Sequence, residues 1–290
     1  MKKYFFLATV VIASLSACNE EEINNQVDNQ QAVHFTTAIA NKAATRAAGT
    51  QWTAGDKIGI RMFDAASATV NNYDNVPYTI DAAGIITPAD ADMYYPLDGS
   101  NVGFLAYYPY KQGITDTYSL NIADQSTPEA IDLLHAKTTV DYNKRSTAVP
   151  LTFSHKLSKF VIKTQKGAGI TSLAGMTVTT KCRTTASFNL KSGSLDNYDN
   201  LAAINFRTIK EGEHYEAIIL PVASASAENS MTVRFVIGTD EYVWKVPTSA
   251  AFTAGSIHEW EITVSRTAVT GIQGTIAPWS TGPGGSGTAL

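Results

Sequence analysis

Cysteine is almost absent from this chain: its 290 residues contain two, Cys18 and Cys182. Cys18 lies in an amino-terminal segment with a chemistry of its own, described below, so Cys182 has no intramolecular partner. The basic neighbours of Cys182, Lys181 and Arg183, would point to the opposite face of a strand, so we expect a buried, inert thiol. The fold must then be stabilised by its core and not by disulfides.

Long apolar runs and excess basic charge are also lacking. After residue 17, no stretch approaches the roughly 18 apolar residues that a membrane-spanning helix requires. The formal net charge is −4 and no basic stripe is present, so nothing favours nucleic acid as a partner.

The usual catalytic and cofactor motifs are missing as well. No Gly-x-Ser-x-Gly elbow occurs, and no glycine-rich loop leads from a strand into a helix. None of the histidines has metal-ligand spacing to another or to Cys182; they are His34, His135, His155, His214 and His258. We therefore expect no cofactor, no metal and no enzymatic activity.

Acidic and aromatic residues leave two narrower alternatives open. Glu211, Glu213 and Glu216 could form a carboxylate pair for glycoside cleavage, although charged hairpin tips explain them more simply. A group of tyrosines could stack on sugar rings, although half-buried strands contain tyrosine routinely. These tyrosines are Tyr94, Tyr95, Tyr107, Tyr108 and Tyr110.

The amino terminus has the pattern of a secretory signal peptide. Two lysines precede an apolar stretch over residues 4–13, which is too short for a permanent membrane span. The next residues, Leu15-Ser16-Ala17-Cys18, resemble a bacterial lipobox, which implies removal of residues 1–17 and a lipid on Cys18. The acidic cluster at residues 19–22 resembles the surface-export signal of Bacteroidetes lipoproteins. The alternative is an ordinary signal peptide with a chance cysteine.

A polar tether over residues 18–31 leads into the first predicted strand. There Val33, Phe35 and Ile39 alternate with His34 and its polar or small neighbours, which indicates a half-buried strand. Similar short strands recur along the chain with turn signals between them. This pattern is typical of antiparallel sandwiches and predicts an all-β fold.

Length and strand spacing predict two β-sandwich domains, over residues 32–148 and 149–279, followed by a flexible Gly-rich tail over 280–290. Helices should be few and short; the best candidate spans residues 128–136 and has a proline at its first position. Strands and helices do not alternate along the chain, so a parallel sheet is not expected.

Two local patterns stand out in predicted loops. Arg46 is isolated among small residues at 44–48, where a trypsin-like protease would reach it, although an ordinary surface arginine explains it equally well. The sequence Asn-Asn-Tyr-Asp-Asn at 71–75 returns as Asp-Asn-Tyr-Asp-Asn at 196–200. Neither copy has the spaced carboxylates of a calcium loop, so we expect two plain turns.

Several stretches, taken together and in their order, resemble the fimbrillin family of Bacteroidetes, the subunits of short surface pili. The resemblance covers nearly the whole mature chain. The stretches are the lipobox, Thr45-Arg46-Ala47 followed by Trp52-x-x-Gly55-Asp56-x-Ile58-Gly59-Ile60, Tyr107-Tyr108-Pro109-Tyr110, Phe153-Ser154-His155-Lys156-Leu157-Ser158-Lys159, Ile218-Ile219-Leu220-Pro221, Phe252-x-x-Gly255-x-x-His258-x-Trp260, and Ile276-Ala277-Pro278-Trp279.

This resemblance implies two transthyretin-like, Greek-key β-sandwich domains and export as an outer-membrane lipoprotein. In polymerising members, an arginine-specific protease cuts the loop after the first strand, here between Arg46 and Ala47. The lipid and the strand that contains Val33, Phe35 and Ile39 would then leave together. Their departure would open an apolar groove with unpaired backbone groups.

The resemblance also implies that a neighbouring subunit's carboxyl-terminal segment fills the groove by β-strand addition. The candidate donor in this sequence spans residues 267–279. Its apolar positions are Val269, Ile272, Ile276 and Trp279. The expected partners are therefore other pilus subunits, the outer membrane through the lipid on Cys18, and host or bacterial surface ligands.

The role within a pilus stays open at this point. After Trp279 only a Gly-rich, nearly non-apolar tail remains, which would be a poor second anchor for a long donor strand. The intact lipobox also suits a subunit that stays in the membrane. The alternative to a stalk subunit is a monomeric surface lipoprotein, either a pilus anchor or a tip adhesin, that binds glycan or host protein.

Overall fold

The computed structural model describes residues 30–40, 51–223, 225, 231–266, 276–278 and 285–289, the last two ranges by backbone alone. The described part is nearly all-β, as the sequence predicts. Its strands are β1 Phe35–Ile39, β2 Asp56–Phe63, β3 Val76–Ile80, β4 Ile86–Pro88, β5 Gly103–Tyr108, β6 Thr117–Asn121, β7 Leu134–Lys137, β8 Val149–His155, β9 Ser158–Lys166, β10 Thr177–Asn189, β11 Ser194–Asn205, β12 Arg207–Lys210, β13 His214–Ile219, β14 Thr232–Ile237, β15 Asp240–Lys245, β16 Ser256–Val264, β17 Ile276–Pro278 and β18 Gly285–Ala289.

The amino-terminal half forms a seven-stranded sheet in the order β1-β8-β7-β5-β2-β3-β4. Strands β2, β5 and β8 supply the centre of its core, where Ile60, Phe104 and Phe153 are fully buried. The two ends of the sheet approach each other, because Thr36 of β1 forms an antiparallel bridge with Ile85, next to β4. The sheet therefore curls almost closed, with β1 in the seam.

The carboxyl-terminal half contains two further sheets. One has the order β11-β10-β14-β15, and β6 adds to it by pairing with β10. The other has the order β12-β13-β9-β16-β17, with β18 also paired to β16. Both sheets contribute to one apolar cluster in which Phe160, Phe188 and Phe235 are fully buried. The transthyretin-like, Greek-key arrangement stays a prediction.

Three ladders are parallel in an otherwise antiparallel structure: β1 with β8, β9 with β16, and β16 with β18. The first two ladders join strands that are far apart in sequence. Parallel strands require this separation, because a tight turn cannot connect them. The expectation of purely antiparallel sheets is therefore wrong for these ladders. Local alternation of side chains is the same in both kinds of strand, so the sequence pattern does not separate them.

The strand pairing does not change at residue 149. Strand β8, placed in the second domain from the sequence, pairs with β1 and β7 of the first sheet. The transition lies at Lys156 and Leu157, because β9 starts at Ser158 and belongs to a carboxyl-terminal sheet. At the other end, residues 285–289 of the expected flexible tail form β18.

The predicted helix is present but short. Helix α1 covers Pro128–Ile131, with proline in its first turn, and ends at Asp132, which is extended. The chain then enters β7, whose first three residues are buried and whose backbone pairs with β5. Pairing with β5 therefore replaces the helix that was expected to reach residue 136. Within the described residues, no helix has the length and apolar composition to cross a bilayer.

The two copies of the repeated Asx pattern adopt different structures. The first copy is a turn, as predicted, with Asn71 and Asn72 at φ 52° and 59°. The second copy lies inside strand β11, so the turn predicted there is wrong. Asn197 and Asn200 still adopt positive φ, 54° and 53°, within the strand. The register with β10 shifts between Thr185 and Ser187, so β11 is an irregular strand at the outer edge of its sheet.

Arg61 of β2 is a buried cation that ties separate segments together. Its Nε lies 2.6 Å from Asp74 Oδ1, and its Nη1 lies 2.7 Å from Asp116 Oδ1. A further guanidinium nitrogen donates to the Thr115 carbonyl. Asp116 also accepts from Lys191 Nζ at 2.8 Å, which connects the first sheet to the β10–β11 turn. These bonds hold the pKa of Asp116 below its ordinary value. The hydrogen bond from Lys191 has the largest effect, and the one from Arg61 comes next.

We predict that Arg61→Ala lowers the free energy of unfolding by about 3–5 kcal/mol, because Asp74 and Asp116 lose a buried partner. Urea denaturation followed by tryptophan fluorescence measures the change. Arg145→Ala is the control, since Arg145 is exposed, and it should stay within about 0.5 kcal/mol of wild type. Equal stability of the two variants would contradict the assigned role of Arg61.

His135 of β7 makes a second link between the halves of the molecule. Its ring is buried, Nε2 donates to the Leu190 carbonyl at 2.8 Å, and the ring packs edge-on against Phe188 at 5.2 Å. Burial lowers the pKa of His135 to about 4, and the positive charges of Lys156 and Lys137 act in the same direction. The folded protein therefore holds this imidazole neutral.

We predict that stability falls as the pH drops through the window from 6.5 to about 4. In that window the unfolded chain binds a proton on His135 and the folded chain does not, which lowers the unfolding free energy by up to about 3 kcal/mol. His135→Gln keeps a donor for the Leu190 carbonyl but cannot titrate, so its stability should depend less steeply on pH. Identical slopes for wild type and variant would refute the prediction.

Candidate functional site

The first strand occupies the seam of the amino-terminal sheet. It runs parallel to β8, with Phe35 opposite Val149 and Ile39 opposite Phe153. Val149 N donates to the His34 carbonyl at 2.8 Å, and Ala40 N donates to the Phe153 carbonyl at 2.7 Å. Strand β1 therefore satisfies backbone groups along the whole outer edge of β8.

The other edge of β1 is held by fewer contacts. Val33 N donates to the Met93 carbonyl at 2.8 Å. Thr37 Oγ1 donates to the Gly84 carbonyl at 2.8 Å. Thr36 and Ile85 form a single bridge there. One side of β1 is thus a continuous ladder, and the other side is a set of isolated contacts.

The side chains of β1 alternate as predicted. Val33 and Ile39 are 4% and 6% exposed, whereas His34 and Thr36 face solvent. Phe35 is half-buried and packs edge-on against Tyr78 and Phe104, with ring centroids 5.4 and 5.1 Å apart. We call the surface that β1 covers, between β8 and the β3–β4 hairpin, the β1 groove.

Emptying the β1 groove would be costly for an isolated subunit. It would expose the apolar floor beneath Val33, Phe35 and Ile39, and it would leave the outer edge of β8 without backbone partners. An unpaired strand edge above an apolar floor is a template for another strand. The groove therefore requires an occupant, but its geometry does not require that the occupant be covalently joined.

The chain is held firmly on both sides of residues 41–50. Before them lies β1, and after them Trp52 is buried against Tyr108 and Phe153, at ring distances of 5.7 and 5.2 Å. A cut within residues 41–50 would leave β1 attached by non-covalent contacts alone. Arg46 and Ala47 themselves lie outside the described residues, as does Cys18.

The candidate donor segment is described only in part. The backbone of Ile276–Pro278 pairs antiparallel with the start of β16, while Gly285–Ala289 pairs parallel with the rest of β16. Val269, Ile272 and Trp279 lie outside the described residues. Any transfer of this segment to another molecule would first require its release from β16.

The carboxylates considered for glycoside cleavage do not converge. Glu216 is held by His214 at 2.9 Å and Lys159 at 3.4 Å. Glu213 pairs with Lys210, and Glu211 accepts from the Gly175 amide. Burial alone would raise the pKa of Glu216, but the hydrogen bond from His214 and the charge of Lys159 hold that pKa below its ordinary value. An ionised, ion-paired Glu216 is a poor general acid.

The tyrosines do not form an exposed stacking surface. Tyr95 and Tyr107 are 2% exposed, and Tyr107 donates to Asn75 Oδ1 at 2.7 Å. Tyr94, Tyr108 and Tyr110 are half-buried. These side chains belong mainly to the core, which is the simpler of the two interpretations of the sequence.

Cys182 is buried, and its neighbours Lys181 and Arg183 are exposed on the opposite face of β10, as predicted. Burial raises the pKa of the Cys182 thiol to about 12, so it is protonated and unreactive at neutral pH. In the part of the chain that the structure describes, no three His, Cys, Asp or Glu side chains converge as metal ligands would.

Comparisons with known proteins agree on one family. A sequence profile described as fimbrillin-like matches residues 45–279. A Bacteroides uniformis protein with the provisional name fimbrium subunit Fim1C is 31% identical over 304 aligned positions, which cover 97% of this chain and 95% of that protein.

Solved structures are similar as well. A provisionally described cell adhesion protein from Bacteroides uniformis matches with a TM-score of 0.71 and 29% identity, over 91% of this chain and 99% of that one. Another, from Bacteroides ovatus, has a TM-score of 0.62 and 24% identity, over 81% and 92% of the two chains, and bears on the fold alone.

We predict that Ile39→Ala lowers the free energy of unfolding by about 2–4 kcal/mol, because the buried Ile39 side chain packs on the floor of the β1 groove. Thr36→Ala, on the exposed face of the same strand, is the matched control and should change stability by about 0.5 kcal/mol or less. Chemical denaturation of the full chain measures both. Equal losses for the two variants would show that β1 is not held by its apolar face.

Proposed function

Since the chain belongs to the fimbrillin-like family, we propose that it is a structural subunit of a cell-surface fimbrium, assembled by exchange of β1 for a strand from another subunit. The observation that carries this proposal is the position of β1 in the seam, over an apolar floor and joined to the rest of the chain through residues 41–50. The role is adhesive and structural, without catalysis.

The first step of the proposed route is delivery to the cell surface. Residues 1–17 direct export, and a lipid on Cys18 holds the precursor at the outer membrane. During this stage β1 completes the amino-terminal sheet, so the precursor has no open edge at β8 and stays monomeric.

The second step is proteolysis between Arg46 and Ala47. The peptide bond lies between two firmly held elements, β1 and Trp52, so the cut itself breaks no sheet and removes only the covalent tie to β1. Strand β1 and the lipid then leave as one fragment. The outer edge of β8 and the floor beneath Ile39 become available together.

The third step is strand addition by a neighbouring subunit. The donor is the segment with Val269, Ile272, Ile276 and Trp279, which leaves its own β16 and enters the β1 groove. Backbone bonds to β8 supply much of the binding energy. Apolar side chains at alternate positions set the register, because a slip of one residue would turn them toward solvent.

A second role is favoured by the pairing of the carboxyl-terminal segment. Both β17 and β18 are paired with the chain's own β16. A subunit that keeps them there gives no strand to a neighbour, which suits a lipid-held pilus anchor or a tip adhesin that binds glycan or host protein. The partners in either role are other pilus subunits, and the state of the amino terminus separates the roles.

We predict that Arg46→Ala abolishes assembly while the matched control Lys42→Ala, in the same segment, does not. Wild type and Lys42→Ala should yield protein that starts at Ala47 and runs as a ladder in unheated denaturing gels. Arg46→Ala should keep a lipidated Cys18 and run as a single species.

Intact-mass and amino-terminal analysis of protein shed from cells provides the measurement. A ladder from Arg46→Ala would refute the proteolytic trigger. A wild-type protein that keeps Cys18 and forms no ladder would favour the anchor.

A further inference from the structure

A cleft of about 450 Å³ lies where the two halves of the molecule meet. Its walls come from the β8–β9 junction, the β10–β11 hairpin, and the start of β16 with the turn before it. Ser154 and Lys156 line it from the first of these, Gly193 and Tyr198 from the second, and Ser256 from the third. Its volume is within the range of small-molecule sites, which often lie at such junctions.

Lys156 is the cationic side chain that lines the cleft, and no carboxylate lines it, although the chain as a whole carries a net charge of −4. His155, which also lines the cleft, has its Nδ1 on the Asp132 carboxylate at 3.0 Å. Lys156 is half-buried, and burial lowers the pKa of its amine below the ordinary value. Among the described residues, no acidic side chain lies within ion-pair distance of Lys156. Other half-buried lysines differ: Lys191, for example, lies 2.8 Å from Asp116.

A half-buried ammonium without a counter-ion is unfavourable unless something pairs with it. The glycine opposite it keeps the space in front of it open. A Cβ on Gly193 would lie 3.9 Å from Lys156 Nζ and 3.4 Å from the His135 ring, and Gly193 has a φ of 73°. Any larger residue there would be strained and would narrow the cleft beside the ammonium group.

The other side chains that line the cleft suit a ligand with a sugar ring better than a small inorganic anion. Tyr198 contributes a half-buried aromatic side chain, and aromatic rings pack against the apolar faces of sugars. Ser154 and Ser256 contribute hydroxyl groups to the walls. Ser154 Oγ donates to the His135 carbonyl at 3.4 Å and can still accept, and Ser256 Oγ accepts from Thr253 Oγ1 at 2.9 Å and can still donate. A cation, an aromatic side chain and two hydroxyls in one cleft make a site for a ring that carries both hydroxyls and a carboxylate.

We propose that this cleft binds an acidic sugar, a uronic or sialic acid residue, with its carboxylate on Lys156 and its ring against Tyr198. The inference rests on the adhesive part of the proposed function and names its ligand class. It does not depend on strand exchange, since every residue invoked belongs to the folded precursor.

The test uses the full chain with Arg46→Ala, so that a single uncleaved species is titrated with glucuronate, N-acetylneuraminate, glucose and inorganic sulfate by calorimetry. We expect an acidic sugar to bind, while glucose and sulfate bind at least about tenfold more weakly. Adding Lys156→Met should remove this binding. Adding Lys166→Met, which alters an exposed lysine of β9, should leave it unchanged.

Thermal unfolding separates a ligand-binding lysine from a structural one. Because Lys156 lacks a described counter-ion, Lys156→Met should keep or raise the melting temperature while it loses the ligand. A lowered melting temperature, equal binding by Lys156→Met, or sulfate binding as tight as the acidic sugar would overturn the proposal. A wild-type protein that forms no ladder, while the Arg46→Ala chain still binds the acidic sugar, would count against strand exchange and not against this site.

Discussion

The outer edge of strand β8 is the constraint on which the rest of this structure depends. Its backbone groups must be paired, and the apolar floor beside them must be covered, whichever chain supplies the strand. Only Lys156 and Leu157 separate β8 from β9, which lies in the carboxyl-terminal core. The groove is therefore built on a strand that is continuous with both halves of the molecule.

The two halves are joined by polar side chains that differ in their charge and in their hydrogen-bond partners. Arg61 is buried with two carboxylates and a carbonyl, so its charge is compensated and its position is fixed. His135 is buried neutral and donates to one carbonyl. Lys156 lies near His135 but has no described acidic partner. Arg61 and His135 therefore have hydrogen-bond partners within the fold, whereas Lys156 faces the cleft.

Much of the local structure could be predicted from the sequence. The proline at position 128 predicts the start of α1, and the alternation of Val33, Phe35 and Ile39 predicts the buried face of β1. Both signals depend on neighbouring residues only. The inert state of Cys182 followed from its neighbours in the same way, because alternate side chains of a strand face opposite sides.

What the sequence could not supply was long-range pairing. The alternation of Leu151, Phe153 and His155 is the same whether β8 joins the first sheet or the second, so the sequence does not reveal that β8 pairs with β1 and β7. The parallel ladder with β1 has no local signature either. The cleft around Lys156 combines segments far apart in the chain, and only the fold brings them together.

Strand β11 has a consequence for any fibre made of this subunit. Twelve residues long, it lies at an outer edge of its sheet, yet its exposed side carries Asp196 and Asp199, and two left-handed asparagines and a register shift interrupt its pleat. Such an edge repels a copy of itself. Two copies that met along this edge would bring Asp196 and Asp199 of each chain close together, so sideways pairing of β11 with β11 is disfavoured by charge as well as by shape.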